Sequence, residues 1–357
     1  MSKPKKRRRM YLGSELVSSV DKLPARIEVE DDDADRPPSV PDLGEMARLA
    51  RLAQRGVLDY VLIDDTLGGN PPFSGRRRSG LDTIRLATRL APATAGIYLV
   101  PLVRASWVEP SSLLEALITL EIASAGRHGW ELQLQDHPSP AGHSGELLTA
   151  IVEDTWSDSA PLTRLAASAR AFRHRKIDWL AGERHTARHP FQVIRADTSE
   201  GAALAAERAH AARVTAGTHG DAAAKRESIR MAVADGGRDP DAVKVLVDLT
   251  VTLADSPAQA EARKDLAEEI MGQRLGGEGI RFVGTPAALV EACVEWVASG
   301  ACDGFTFLPT SLPVDLVLLA TGVTPALAAA GHIPAAYRVP ERHGRRPRAI
   351  PVPQVRP

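Results

Sequence analysis

Cysteine is scarce in this chain of 357 residues: Cys293 and Cys302 are the two present, and no apolar signal segment precedes them. A disulfide framework is not required, and a reducing cytoplasm is the expected compartment. Aromatic residues make up 4% of the chain. Few rings can therefore line a pocket; Trp107, Trp130, Phe305 and Phe307 are the ones closest to predicted strand ends, where each is either pocket lining or core. An excess of one charge sign is missing too, the net charge being -1, so no global field favours nucleic acid or an anionic membrane. No stretch of about 18 uncharged apolar residues occurs, which removes a spanning helix from the expectation. Metal-ligand spacing is also wanting. Six of the ten histidines lie between His128 and His189, in Pro- and Arg-rich sequence without a His-Glu-x-x-His or Cys-x-x-Cys pattern, and no metal is expected.

What is present is the balance of a folded protein, 44% hydrophobic and 25% charged. The run "KPKKRRR" (Lys3 to Arg9) is followed by "EVEDDDAD". Residues 1–40 therefore read as a solvated basic, then acidic, N-terminal tail that carries a first strand near 10–13. Residues 338–357, with "RHGRRPR", read as an irregular C-terminal extension.

Eight short apolar, β-branched runs bounded by turn residues predict strands: Met10 to Gly13, Leu58 to Ile63, Gly96 to Val103, Trp130 to Gln135, Phe191 to Ala196, Ala212 to Gly217, Val243 to Leu253 and Gly304 to Pro309. Between most of them, apolar residues recur at helical spacing. Leu43, Met46, Ala47, Ala50 and Ala53 line a helix that is expected to stop at Gly56 in a left-handed cap. Thr285 with Pro286 opens another, as N-cap and first helical residue. Strands that alternate with helices lie parallel, and eight such units close into a (β/α)8 TIM barrel over residues 41–337. An open doubly wound sheet is the alternative. The fourth crossover is long and proline-rich, which places an insertion at 137–190, after strand 4.

A barrel of this kind binds ligands where its strands end, so the residues that follow each strand are the ones to inspect. They include Asp64, Asp65 and Thr66; Arg104, Ser106 and Trp107; Asp197, Thr198 and Ser199; and Thr310 with Ser311, to which Trp130, Glu131 and Gln133 are added at strand four itself. The fifth loop, "ADTSEGAALAAERAHA", puts Thr198 and Ser199 at a helix start with Gly201 allowing close backbone approach. Such a start either carries an ordinary N-cap or receives a phosphate on its free amides.

Five segments carry a resemblance. "MARLARLAQRGVLDYVLIDDTL", "GIYLVPLVRASWVEPSSLLEALITLEIASAGRHGW", "FQVIRADTSEGAALAAERAHAARVTAG", "FVGTPAALVEACVEWVASGACDGFTFLP" and "TPALAAAGHIPAAY" resemble luciferase-like, flavin-dependent monooxygenases. The subgroup is that of nitrilotriacetate and dibenzothiophene sulfone monooxygenases, and the likeness runs roughly from Leu43 to Tyr337, poorly over 137–190. It implies a barrel enzyme that takes reduced flavin mononucleotide (FMN) from a separate flavin reductase and oxygenates a small organic substrate with dioxygen. Coenzyme F420, a deazaflavin, is the variant cofactor, since related barrels use it. A homodimer, or a heterodimer with a related barrel, is the implied assembly, and the alanine-rich helices after strands two and three are its expected face.

Carried over residue by residue, the resemblance puts Asp65, Ser106, Glu131, Asp197, Thr198 and Ser199 around the cofactor. No catalytic acid or base is named by it. Arg127 is expected to pair with a barrel carboxylate. Two positions depart from the family pattern: Glu131 stands for an asparagine that faces the flavin, and Asp197 for a glycine beside the phosphate. Two unit charges about 5 Å apart at an effective dielectric of about 20 repel by roughly 3 kcal/mol. Asp197 must then point away, pair with Arg195 on the same side of the strand, or spoil the phosphate site. In that last case the chain is a degenerate barrel, a non-flavin companion subunit or binding protein.

Overall fold

The two-residue alternation of the strands becomes the wall of a closed parallel barrel. A computed structural model describes residues 9–17, 43–64, 81–104, 108, 110–134, 145–157, 189–275, 277 and 279–337. Its strands are β1 (Tyr11–Glu15), β2 (Tyr60–Ile63), β3 (Tyr98–Arg104), β4 (Gly129–Gln133), β5 (Phe191–Arg195), β6 (Ala211–Val214), β7 (Lys244–Leu253), β8 (Ile280–Gly284) and β9 (Gly304–Pro309). Parallel ladders join β1 to β7 in chain order, and β9 closes the ring by pairing with both β7 and β1. This is the expected (β/α)8 barrel, not the open sheet.

Helices cover the outside: α1 (Leu43–Arg55), α2 (Asp82–Leu90), α3 (Pro110–Ser124), α4 (Gly145–Ser157), α5 (Ser199–Arg208), α6 (His219–Asp235), α7 (Pro257–Met271), α8 (Pro286–Ser299), α9 (Val314–Leu318) and α10 (Thr324–Ala329). Several begin on the caps that the sequence offers. Thr285 accepts from the Ala288 amide at 3.3 Å, with Pro286 next to it, and Thr198, Thr218 and Ser256 cap α5, α6 and α7 in the same way.

The core lies in two shells. Leu49, Leu99, Leu132, Ile194, Val245, Leu289 and their neighbours fill the space between strands and helices. Inside the barrel, Tyr60, Leu62, Val100, Val193, Ala211 and Leu246 pack with Tyr11, Tyr98 and Phe191 as an apolar plug toward the amino ends of the strands. Gly304 makes room at that end: a Cβ there would stand 1.8 Å from the Tyr11 carbonyl oxygen.

Three expectations need correction. The first strand runs to Glu15, two residues beyond the predicted Met10 to Gly13, and so carries a carboxylate into the barrel. A ninth strand, β8, pairs only with the carboxyl half of β7; its five residues abut the Thr285-Pro286 helix start and read as part of it. Helix α1 ends with the left-handed residue at Val57 (φ 53°), not at Gly56. Gly56 instead lets the chain approach Ala320, whose Cα would be 2.9 Å from an added Cβ. Of the two places open to Trp130, Phe305 and Phe307, they take the core one, packed between strands and helices, while Glu131 faces the cavity and Thr306 meets Tyr60 inside the barrel. Within 137–190, α4 forms the start of the fourth crossover, and 158–188 lie outside the described residues, as do Asp65, Ser106 and Trp107.

A charged cavity at the carboxyl ends of the strands

Inward positions change character along each strand. Toward the carboxyl ends, Glu15 of β1, Glu131 of β4, Arg213 of β6 and Asp248 of β7 replace apolar residues. A charge buried in a barrel wall must be paired, since its desolvation is otherwise prohibitive. Arg213 does the pairing. Its Nη2 donates to Glu15 at 2.8 Å, its Nη1 to both oxygens of Glu131 at 3.1 and 3.0 Å, and its Nε to Asp248 at 2.5 Å. Burial works against the guanidinium charge, yet Asp248, Glu131 and Glu15 hold its pKa well above the usual value. Burial raises the Glu131 carboxyl above the ordinary carboxylate range, with Arg213 and Arg195 pulling it the other way.

Above this floor lies a cavity of about 330 Å³. Leu102, Leu308, Gln133, Thr215, Thr250 and Gly279 complete its wall, with an ion pair between Arg104 and Asp64 at 3.9 Å on one side. On another side Arg195 reaches Asp248 at 3.2 Å and Asp197 at 2.9 Å. The cavity is small and polar, at the low end of the range for ligand sites. Among the described residues, no group of His, Cys, Asp and Glu could hold a metal ion.

The fifth loop is fully described. Thr198 is the N-cap of α5 and its hydroxyl accepts the Gly201 amide at 3.1 Å; Ser199 is the first residue of that helix. Gly201 does permit a close approach, but to protein: an added Cβ would stand 2.3 Å from the Arg195 carbonyl oxygen. The expected Arg195 and Asp197 pair is present. Asp197 also accepts the Thr215 amide at 2.6 Å and the Thr215 hydroxyl at 3.3 Å. Burial and Arg213 depress the Arg195 pKa, but Asp248, Glu131 and Asp197 outweigh them and raise it.

The flavin mononucleotide implied by the resemblance needs a slot for its ring and unengaged donors for its phosphate. A small slot exists. At the loop after β5, the donors of Arg195 and Thr215 are held by the Asp197 carboxylate, so these residues do not fit a phosphate there. Glu131 lines the cavity and is paired there with Arg213. Arg127 is a further correction. It caps the chain at 91–97, donating to the carbonyls of Ala91, Thr94 and Ile97 and to the Thr94 hydroxyl, and meets no carboxylate in these bonds.

Sequence reading missed Glu15, Arg213 and Asp248. Each is a charge among mostly apolar strand residues, and such charges require one another, but their pairing shows only once the strands lie side by side.

Comparison with known proteins agrees with this architecture. A family model described as luciferase-like monooxygenase matches residues 23–273. An N-acetyl-S-(2-succino)cysteine monooxygenase of Bacillus subtilis (strain 168) is 25% identical over 382 aligned positions, covering 81% of this chain and 86% of the relative. Nitrilotriacetate monooxygenase component A of Aminobacter aminovorans is 22% identical, covering 83% and 88%. Among solved structures, EDTA monooxygenase from Chelativorans sp. BNC1 superposes with a TM-score of 0.65 at 18% identity, over 92% of this chain and 95% of that one.

Proposed function

The chain belongs to the luciferase-like monooxygenase family, and on that premise we propose that it oxygenates a small organic substrate with a reduced flavin and dioxygen. The observation that carries this reading is the cavity of about 330 Å³ at the carboxyl ends of the barrel strands, where enzymes of this architecture work. Bound flavin supplies the oxygen chemistry. The chain's own residues supply a fixed site: the Arg213 hub ties β1, β4, β6 and β7 together beneath the cavity, and Leu102 and Leu308 give it apolar walls. No residue is assigned as catalytic acid or base.

Under this reading a separate flavin reductase delivers the reduced cofactor, the protein is cytoplasmic, and it works as a homodimer or with a related barrel. FMN is the form implied by the family likeness, and coenzyme F420 the variant. Asp65, Ser106, Thr198 and Ser199 are the residues proposed to border the cofactor.

A second reading, a companion barrel that binds no flavin, is favoured by the Asp197 carboxylate at the fifth loop and by Glu131 paired with Arg213. Anaerobic titration with reduced flavins, followed by the flavin spectrum, separates the two. Micromolar binding supports the oxygenase; no binding of any flavin or deazaflavin at millimolar concentration establishes the companion.

A further inference from the structure

The ends of β5 and β6 form a concave set of donors. Arg195 contributes Nε and Nη2, and Thr215 its backbone amide and its hydroxyl. A guanidinium, a main-chain N–H and a hydroxyl that converge on two oxygens make the donor set that recognises a phosphate or a carboxylate ligand. Here one side chain of the same protein satisfies all four. Asp197 accepts from Arg195 Nε at 3.1 Å and Nη2 at 2.9 Å, and from the Thr215 amide at 2.6 Å and hydroxyl at 3.3 Å.

The surroundings give that carboxylate little freedom to leave. It sits two residues after Arg195 and one before Thr198, whose hydroxyl is committed to the Gly201 amide. Gly201 in turn lies against the Arg195 carbonyl, so the start of α5 is clamped to the end of β5. Arg195 has no charge to spare for a second anion, since its Nη2 is also 3.2 Å from Asp248. Both Arg195 and Thr215 line the cavity, so the filled cradle is part of its rim.

We propose that Asp197 is an intramolecular anion filling the cradle between β5 and β6, and that the cavity therefore takes a flavin without its phosphate, riboflavin in preference to FMN. The choice of flavin as ligand rests on the function proposed above. The occupied cradle stands on its own geometry.

Two titrations on the full-length protein test this, each with the wild type, Asp197→Gly and Asp197→Ser. The first uses inorganic phosphate and calorimetry; the second uses reduced riboflavin and reduced FMN under anaerobic conditions. The wild type is expected to show no phosphate binding at millimolar concentration and to bind riboflavin more tightly than FMN. Both variants should gain phosphate binding, and an FMN preference of at least about tenfold, the order set by removing a unit charge about 5 Å away in a partly solvated site. Asp197→Ser retains a side chain at this position and serves where the glycine variant loses its native circular dichroism. Wild-type protein that binds FMN at least tenfold tighter than riboflavin overturns the proposal, as do folded variants that gain no phosphate. If no flavin binds to any form while the variants gain phosphate, the oxygenase reading fails and the filled cradle is upheld.

Discussion

Arg213 holds Glu131 through a single nitrogen, Nη1, which lies 3.1 and 3.0 Å from the two carboxylate oxygens in a wall where neither side chain is more than 2% exposed. The same guanidinium serves Glu15 and Asp248, so three strands depend on one cation. Arg213→Leu leaves those carboxylates buried without it. The expected loss is about 3–5 kcal/mol, the cost of breaking a buried pair from one side, read as a lower urea midpoint at unchanged slope. A variant as stable as the wild type would mean that the cluster contributes nothing to the fold.

Glu131→Gln tests the titration of the same pair. Burial raises the folded-state pKa of Glu131 above its unfolded value of about 4.3. The native protein then keeps a proton that the unfolded chain has released. Stability from this source is complete below the unfolded value and is lost as pH rises through the folded one. The wild-type advantage over Glu131→Gln, measured by urea unfolding at several pH values, should shrink from about pH 4 toward neutrality. An advantage that grows with pH contradicts the sign.

Gly304→Ala should be among the costliest single changes in the barrel. Its Cβ would lie 1.8 Å from the Tyr11 carbonyl oxygen, in the ladder that closes β9 on β1. Backbone has no rotamer with which to yield. A loss of about 3 kcal/mol or more, or insoluble protein, is expected in place of the roughly 1 kcal/mol typical of point changes. Normal thermal unfolding of the variant would place the closing ladder elsewhere.

Cys293 and Cys302 are buried free thiols, and burial pushes Cys302 up to about 12 and Cys293 well above its usual value. Native protein should react with an aromatic disulfide reagent slowly or not at all, and unfolded protein should release two equivalents. Fast labelling of the native form would show that α8 opens readily.

Assembly is testable by sedimentation. A dimer is proposed, with α2 and α3 as its face, although the most exposed large apolar side chains among the described residues, Met231, Leu266, Ile270, Val314 and Val317, lie on α6, α7 and α9. Leu114→Glu on α3 should weaken the dimer and Leu266→Glu on α7 should leave it intact. The reverse result moves the face to α7, and a strictly monomeric wild type removes the proposal.

The barrel was legible because its strands are apolar runs of the right length between turn residues, and because helices α1, α3, α5 and α8 repeat at 3.6, α5 and α8 behind usable N-caps. Strand β8 was not: Ile280 to Gly284 runs straight into Thr285-Pro286, and the helix signal masks it. The site was half legible. Asp197 stood out by its position after a strand and Glu131 as a carboxylate within one, and the ion pair of Arg195 with Asp197 followed from alternation. Arg213 did not stand out, because an arginine in "ARVTAG" looks like any solvated residue until Glu15 and Asp248 are seen on the same inner face. Long-range pairing across 198 residues of sequence has no local mark.

Strand β7 has different neighbours along its length. On one edge it pairs with β6 from Lys244 to Val247 and then with β8 from Leu249 to Leu253, and no ladder joins β6 to β8 among the described residues. On that edge β8 takes over where β6 stops, so the carboxyl half of β7 keeps a partner beyond the end of β6. The barrel's inside is stoppered by Tyr60, Tyr98 and Phe191 toward the amino ends and holds the cavity toward the carboxyl ends. Thr215, the residue after β6, and Gly279, the residue before β8, both line the cavity, so one stretch of its wall is a seam between the end of one strand and the start of another.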